Sequence, residues 1–115
     1  MANQDRVLGV FEERVLLAIA RCGENAYGME IRRDIEEHSG RPVSIGAVYA
    51  TVDRLEAKGY LSVRLADEDN VRGGRVRKYL QLEKAGAEVL RQSIAQHQRM
   101  WEGIDPASLV AGRSK

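Results

Sequence analysis

Apolar residues recur at helical spacing in the first half of the chain and predict helices. The first segment, 5–22, carries an apolar stripe among charged residues. Gly9 weakens its opening turn, so we expect the firm part of the helix to begin near Val10 and to end at Gly23. A second helix is predicted from Tyr27 to His38, followed by loop punctuation at 39–42.

A third helix is predicted from Ser44, a typical N-cap residue, to the neighbourhood of Gly59. Val48, Val52 and Leu55 recur along it at i, i+4 and i+7, so this side is expected to face the core. The opposite side is formed mainly by short side chains, at Gly46, Ala50, Asp53 and Ala57, with Ala47, Tyr49 and Arg54 on its flanks.

The pattern then changes from a helical to an alternating period, which predicts a β-hairpin from Leu61 to Leu82. Polar residues and two glycines at 67–74 form its turn. On the returning strand, one face is predicted to carry Val76, Lys78, Leu80 and Leu82, and the other Arg75, Arg77, Tyr79 and Gln81.

A last helix is predicted from about Glu83 or Lys84 to Ile104, because Pro106 prevents its continuation. One stripe along it repeats at alternating spacings of four and three residues, which is typical of a helix packed against a partner helix. This predicted dimer seam consists of Leu90, Ile94, His97, Trp101 and Ile104.

The order helix, helix, helix, hairpin, helix predicts a mainly α fold with a small β-hairpin, namely a winged helix-turn-helix plus a C-terminal dimerisation helix. We assign residues 1–82 to the winged helix-turn-helix, 83–105 to the dimerisation helix and 106–115 to a tail. The N-terminal helix is expected to contribute to the dimer as well. A chain of 115 residues buries a modest core, which makes a shared apolar surface reasonable.

The overall charge is nearly balanced, at 18 Lys and Arg against 17 Asp and Glu, so any attraction to nucleic acid must be local. The sequence contains one cysteine, Cys22, and lacks both a signal-like N-terminus and an apolar stretch near the roughly 20 residues of a membrane span. We therefore expect a cytoplasmic protein that has no contact with a membrane.

The stretch VRGGRVRKYLQL concentrates positive charge on the predicted hairpin. Gly73 and Gly74 permit a close backbone approach, and the nearby acids at 67–69 lie on the incoming side of the turn. The predicted contacts with DNA phosphates are Arg72, Arg75, Arg77 and Lys78. Arg75 and Arg77 rank above Lys78, which shares the core-facing side. The alternative is a solvated basic hairpin that only discourages edge pairing.

The outer face of the third helix is a candidate for insertion into the DNA major groove. Its short side chains would allow close approach to base edges, and the candidates for bonds to bases or phosphates are Ser44, Tyr49, Thr51 and Arg54. Asp53 on the same face would be repelled by phosphates, and its role is left open. The alternative is an ordinary amphipathic helix with a small-residue packing face.

Residue patterns typical of enzymes are missing from the sequence. His38 and His97 are isolated, Cys22 has no neighbouring histidine, and no zinc-binding or phosphate-binding motif occurs. We expect a protein that is not an enzyme and needs no metal or cofactor. Two interpretations of Trp101 and His97 are open: both pack in a dimer interface, or Trp101 stacks on a planar small molecule between protomers.

Three stretches, AYGMEIRRDIEEHSG, VSIGAVYATVDRLEAKGYL and GGRVRKYLQLEKAGAEVL, resemble the PadR-like transcriptional regulators over about residues 10 to 102. The most specific pieces are Tyr27-Gly28-x-Glu30-Ile31, Val48-Tyr49 with Arg54-Leu55-Glu56, and Gly73-Gly74-Arg75 with Arg77-Lys78-Tyr79. The resemblance implies a homodimer that binds a palindromic operator in double-stranded DNA, usually as a repressor. It also implies dimerisation through the last helix and release of DNA by a small effector, frequently aromatic.

The sequence departs from the family pattern at three positions. Ala50 stands where the family usually has proline, Asp53 where it often has histidine, and Glu83 where a threonine usually caps the last helix. The first two changes put the operator sequence in doubt. Two rival functions remain: a winged helix that binds another protein without any operator, and a ligand-binding dimer that has lost DNA binding.

Overall fold

The computed structural model describes residues 7–67 and 76–112. Its main elements are α1 (Val10–Cys22), α2 (Gly28–Ser39), α3 (Ile45–Ala57), β1 (Leu61–Asp67), β2 (Val76–Leu82) and α4 (Lys84–Met100). Two short 3₁₀ turns, Gly23–Asn25 and Pro106–Ser108, follow α1 and α4. The predicted order of a mainly α fold with one hairpin is confirmed.

The ends of α1 and α3 follow the local signals in the sequence. α1 begins at Val10, and Gly23 ends it with a positive φ of 60° that lets its N–H bond back to the carbonyl of Ile19. At the start of α3, the Ser44 hydroxyl accepts a hydrogen bond of 3.0 Å from the N–H of Ala47. Both predicted boundaries are therefore correct.

The hydrophobic core lies between the first three helices and the base of the hairpin. The largest fully buried side chains are Val15 and Leu16 from α1, Ile31 from α2, Val48 and Leu55 from α3, and Leu61 from β1. The predicted inner stripe of α3 is confirmed, because Val52 is also buried. Val89 and Leu90 join the same core from α4, so the start of that helix packs as part of the preceding unit.

The hairpin is antiparallel, with Leu61 opposite Leu82 and Val63 opposite Leu80. An additional bridge joins Tyr27 to Tyr79, and the N–H of Leu80 donates a 2.7 Å hydrogen bond to the carbonyl of Ala26. The start of α2 is therefore attached to the hairpin through the backbone. Of the turn predicted at 67–74, Asp67 is the last residue of β1, and the remaining residues lie outside the described part of the chain.

The last helix is shorter than the sequence predicts. α4 ends at Met100 rather than at Ile104, and a turn follows in which Gly103 adopts a φ of 85° and the N–H of Ile104 bonds to the carbonyl of Trp101. A residue with this φ cannot continue a right-handed helix. The heptad-type spacing predicts that Trp101 and Ile104 extend the helical stripe. They do not, because both lie beyond the end of the helix.

The described part of the molecule is elongated, with extents of 68 × 35 × 21 Å. Every residue from Gln96 to Gly112, at the end of α4 and after it, is exposed. Among the described residues, no helix is long and apolar enough to span a bilayer.

Candidate nucleic-acid interface

The outer face of α3 is open to solvent along its length. Gly46, Ala47, Ala50 and Asp53 are all exposed, and they add little bulk to the helix surface. Ser44 lies exposed at the N-terminal end of this face, although its hydroxyl is engaged in capping the helix. The helix therefore presents a narrow surface whose backbone could closely approach a partner.

Thr51 does not belong to this surface. Its side chain is only 3% exposed, and its Oγ1 accepts a 3.2 Å hydrogen bond from Nη2 of Arg54. The reason is helical spacing, because Thr51 lies on the same inner stripe as Val48 and Leu55. The prediction that Thr51 contacts DNA does not fit this burial.

Arg54 lies exposed at the C-terminal part of α3, where it faces the N-terminus of α1. Its Nε is 3.6 Å from Oε2 of Glu12, and Nζ of Lys58 is 3.3 Å from the same oxygen. The other carboxylate oxygen, Oε1, accepts a 2.9 Å hydrogen bond from the N–H of Gly9. Glu12 thus caps its own helix and binds two cations, Arg54 of α3 and Lys58 directly after it.

The pKa of Glu12 reflects opposing effects. Burial raises the pKa, but the hydrogen bond from Gly9 and the positive charges of Lys58 and Arg54 outweigh it and hold the pKa below its ordinary value of 4.5. The carboxylate is therefore ionised at neutral pH, and it fixes the direction in which the Arg54 side chain extends.

Tyr49 extends from α3 across the start of α2. A Cβ atom added to Gly28 would lie 2.5 Å from the Tyr49 hydroxyl and 2.6 Å from its ring. The ring therefore rests directly on the glycine backbone, although 49% of the Tyr49 residue surface remains exposed. Gly28 makes this close approach possible, since any side chain there would displace the ring.

The described part of the hairpin carries a stacked series of aromatic and cationic side chains. The guanidinium of Arg77 lies 4.1 Å from the centre of the Tyr27 ring, and that of Arg64 lies 4.8 Å from the centre of the Tyr79 ring. The two tyrosine rings meet edge to face at 5.7 Å. This series orders Arg77 on the outer face of β2, as the alternation predicts.

Lys78 shares a face of β2 with the buried Leu80, as the alternation predicts. Lys78 itself is exposed, and it lines the same groove as Arg77. Arg72 and Arg75, the other two predicted wing contacts, lie outside the described residues.

A groove with a volume of about 520 Å³ separates α3 from the hairpin. Asp53 and Glu56 line it from α3, while Arg77 and Lys78 line it from β2. The rest of its lining is mostly apolar and aromatic, and includes Tyr27, Met29, Tyr49, Val52, Val63, Val76 and Leu80. The cationic side is the one that could attract a polyanion, and the acidic side could accept hydrogen bonds.

The predicted dimer seam is divided by the structure. Leu90 is only 6% exposed and belongs to the chain's own core, against which Ile94 also packs. His97 is exposed on the last turns of α4, and Trp101, 45% exposed, lies beyond the end of the helix. A hollow of about 440 Å³ contains Trp101 and Ile104 but not His97.

The sequence interpretation missed three side chains or positions that shape this region: Glu12, Tyr27 and Gly28. The family motif contains the Tyr-Gly pair, but its partners lie far along the chain, at Arg77 and Tyr49. Glu12 is one of the charged residues interspersed with the apolar stripe of the first helix, and the sequence pattern assigns it no further role. Within residues 7–67 and 76–112, no cluster of three or more His, Cys, Asp or Glu side chains could hold a metal ion.

Comparison with known proteins agrees with this architecture. The model of the transcriptional regulator PadR-like family matches residues 15–92. No curated protein sequence matches the chain. Among solved structures, a PadR-like transcription factor from Bacteroides fragilis superposes with a TM-score of 0.69 at 21% identity, covering 93% of this chain and 96% of that one.

Two further structures are similar over most of their length. A PadR-like transcriptional regulator from Bacillus cereus strain ATCC 14579 has a TM-score of 0.64 at 27% identity, over 80% of this chain and 84% of that one. RosR of H. salinarum has a TM-score of 0.65 at 22% identity, over 88% and 84%. The predicted winged helix-turn-helix with a further C-terminal helix is thus confirmed, and the chain belongs to the PadR-like family of transcriptional regulators.

Proposed function

We propose that the chain is a cytoplasmic homodimer that binds double-stranded DNA at a palindromic operator, represses transcription and is released by a small aromatic effector. The observation that carries the DNA-binding part is the juxtaposition of an exposed, small-residue face of α3 with the cations Arg77 and Lys78 of β2 across one groove. In a winged helix, such a helix reads base edges while the hairpin contacts the backbone.

The proposed contacts follow the exposure of the predicted residues. On α3 they are Ser44, Tyr49 and Arg54, and on the hairpin they are Arg77 and Lys78, together with Arg72 and Arg75. Arg54 is held by Glu12 near the end of α3, so we assign it to phosphate rather than to a base. Thr51 is removed from the set because of its burial.

Exposed apolar side chains support the homodimer. Met100 is 75% exposed, and Val7 and Val10 at the start of α1 are largely exposed as well. A second copy could cover the far end of α4 and the N-terminal end of α1 together. We therefore propose that the dimerisation unit, predicted as 83–105, acts through its second half, while Leu90 stabilises the DNA-binding unit.

The DNA-binding proposal is tested by measuring affinity for a mixed duplex pool across a salt series. Lys78→Ala removes a cation from the groove, and Arg14→Ala removes an exposed cation from α1 as the matched control. Each lost phosphate contact should lower the log–log slope by about 0.9, or roughly twice that for a dimer. The control should keep the wild-type slope.

An affinity that does not depend on salt and is unchanged by Lys78→Ala would contradict this function. It would favour the rival, a winged helix that binds another protein.

The effector is tested separately, by calorimetric titration of the free dimer with a panel of planar aromatic compounds. Binding that also releases the duplex pool would support the proposal, whereas no binding by any compound would favour plain packing of Trp101.

A further inference from the structure

The first turn of α2 contacts both elements of the proposed interface. Tyr27, at the residue before the helix, carries the guanidinium of Arg77 on its ring at 4.1 Å. Gly28, the first residue of the helix, lies under the ring of Tyr49. Two adjacent residues therefore contact two distant parts of the chain: the hairpin, about 50 positions later in the sequence, and α3, about 20 positions later.

Tyr27 is itself held firmly. Its ring meets Tyr79 edge to face at 5.7 Å, and its backbone bridges to the same residue. Its hydroxyl donates a 3.2 Å hydrogen bond to Oε2 of Glu30, an oxygen that also binds Nη1 of Arg33 at 2.8 Å. A ring held by Tyr79, by the backbone bridge and by its hydroxyl is a rigid support for the cation that stacks on it.

A stacked arginine differs from a free one in entropy and in direction. A free arginine side chain loses up to about 2 kcal/mol of rotamer entropy when it binds a phosphate. Arg77 is half-buried against Tyr27 and has already lost part of that freedom. Stacking on a ring restricts the orientation of the guanidinium, and a fixed orientation favours bidentate bonds with a phosphate.

Gly28 acts on the other element. The atoms that a Cβ at Gly28 would meet first all belong to the outer end of the Tyr49 side chain. Such an end can move at little cost, so a substitution would redirect the tyrosine without a large loss of packing. Gly28 therefore sets where Tyr49 lies on the surface of α3, while contributing little to stability through this contact.

We propose that the pair Tyr27-Gly28 is a positioning element of the interface, in which Tyr27 orients Arg77 towards a DNA phosphate and Gly28 sets the place of Tyr49. The inference rests on the proposed DNA-binding function. In this arrangement neither residue needs to touch DNA, and their substitution changes binding through Arg77 and Tyr49. The first turn of α2 thereby fixes the position of Arg77 on the hairpin relative to Tyr49 on α3.

The Tyr27 half is tested with Tyr27→Phe, Tyr27→Leu, Arg77→Ala and the double variant Tyr27→Leu/Arg77→Ala, each titrated with a mixed duplex pool across a salt series. Loss of a cation–π support should weaken binding by about 3- to 10-fold and make the salt slope shallower. Tyr27→Phe keeps the ring and should retain most of the affinity. In the double variant, Tyr27→Leu should add little to Arg77→Ala.

The outcomes separate this inference from the function on which it rests. If the wild type shows no salt-dependent binding, the DNA-binding function is overturned. Wild-type binding that falls with Arg77→Ala but not with Tyr27→Leu, or effects of the two substitutions that simply add, would overturn the positioning role alone. If Tyr27→Leu fails to fold by circular dichroism, Arg77→Lys replaces it: it keeps the charge but loses the flat stack.

Arg77→Lys should bind nearly as weakly as Arg77→Ala if orientation matters, and like the wild type if only charge matters.

The Gly28 half is tested by introducing Gly28→Ala both into the wild type and into the Tyr49→Ala variant. The alanine should weaken binding several-fold in the first background, have no further effect in the second, and leave the melting temperature almost unchanged. Equal losses in both backgrounds would contradict it.

Discussion

The two halves of α4 differ sharply in what they contact. In the first half, Gly86, Val89 and Leu90 are buried against α1 and the segment before the hairpin. In the second half, no residue is buried, and every residue from Gln96 to Met100 is exposed. One continuous helix thus changes from a core element to a projecting one within about two turns.

The difference shows that amphipathic spacing alone does not tell which partner a stripe has. Leu90 and Ile94 continue the same stripe towards His97, but the first two pack on their own chain. The exposed half is consistent with the proposed second copy as its partner. The first half should therefore affect unfolding, and the second half self-association.

Gly86→Ala should have the largest effect on stability, because it disrupts the packing of the buried first half of α4. We call this part, which contains Gly86, Val89 and Leu90, the anchored half. A Cβ at Gly86 would collide with the carbonyl oxygen of Tyr60, which also accepts a 3.0 Å hydrogen bond from the N–H of Glu83. Backbone cannot move aside as a side-chain end can, so we expect a loss of about 3 kcal/mol in the free energy of unfolding, at the upper end for overpacking.

Urea denaturation followed by circular dichroism measures this loss. The matched control is Gly46→Ala, since a Cβ at Gly46 meets nothing within 4 Å and α3 would gain a better helix former. The control should be neutral or slightly stabilising. Equal stability of Gly86→Ala and wild type would contradict the close packing of α4 on Tyr60.

Leu90→Ala and Met100→Ala separate the two halves by what each changes. Leu90→Ala should cost about 2 to 3 kcal/mol of unfolding free energy, because it leaves a cavity in the core. Met100→Ala should leave folding intact and weaken self-association about 5-fold, since the side chain has no cover within the chain. Denaturation and sedimentation equilibrium are the two measurements.

Identical sedimentation of Met100→Ala and wild type would argue that the exposed second half of α4, the projecting half, is not the dimer contact. Loss of stability in Met100→Ala at protein concentrations where only monomer exists would contradict its exposure. Either result would remove the contrast between the two halves.

Glu12 allows a pH test of α1, the helix on which the anchored half rests. Its folded pKa lies below the ordinary 4.5, so its stabilising contribution is present above pH 4.5 and is lost as the pH falls through the folded pKa. We expect Glu12→Gln to cost about 1 to 2 kcal/mol at neutral pH, as charged hydrogen bonds do. Below pH 4.5 the variant and the wild type should converge.

Denaturation curves from pH 3 to 7 measure this convergence for both proteins. The pKa of Glu36 is also lowered, chiefly by a hydrogen bond from the N–H of Val43, so the wild type and the variant share a second acid-labile contribution. The difference between them isolates Glu12. A difference that is constant with pH would contradict the ionic role.

Ser93→Ala should give the smallest effect, because Ser93 lies at the boundary between the two halves. Its hydroxyl donates a 2.7 Å hydrogen bond to Oε1 of Glu13, across from α4 to α1. We expect a loss of about 1 kcal/mol in unfolding free energy, with Gln92→Ala, one residue earlier and exposed, as the control. Equal effects of the two substitutions would indicate that the anchored half ends before Ser93.

Local signals were sufficient to predict most of the fold. Gly23 and Ser44 marked helix ends, and the spacing of Val48, Val52 and Leu55 marked the inner side of α3. These features depend on neighbours a few residues away, so a single sequence contains them. The same stripe also contains Thr51, and its hydroxyl led to its assignment as a DNA contact although its position is an inner one.

Features that depend on distant parts of the chain were not predictable. The stacking of Arg77 on Tyr27 and the contact of Gly86 with Tyr60 require the folded arrangement of three elements. Intrinsic propensity even suggests the opposite for Gly86, since alanine is the better helix former. α4 ends at Met100, three residues before Gly103, whose φ of 85° excludes continuation of the helix.

The position of Trp101 determines what can be learned from the intrinsic fluorescence of this protein. Trp101 is the only tryptophan in the sequence, and it lies 45% exposed beyond the end of α4, away from the core. Its emission wavelength therefore reports the solvent around the projecting end, not the unfolding of the winged helix. A denaturation curve recorded at this wavelength would register dissociation of the proposed dimer, whereas circular dichroism would register unfolding of the core.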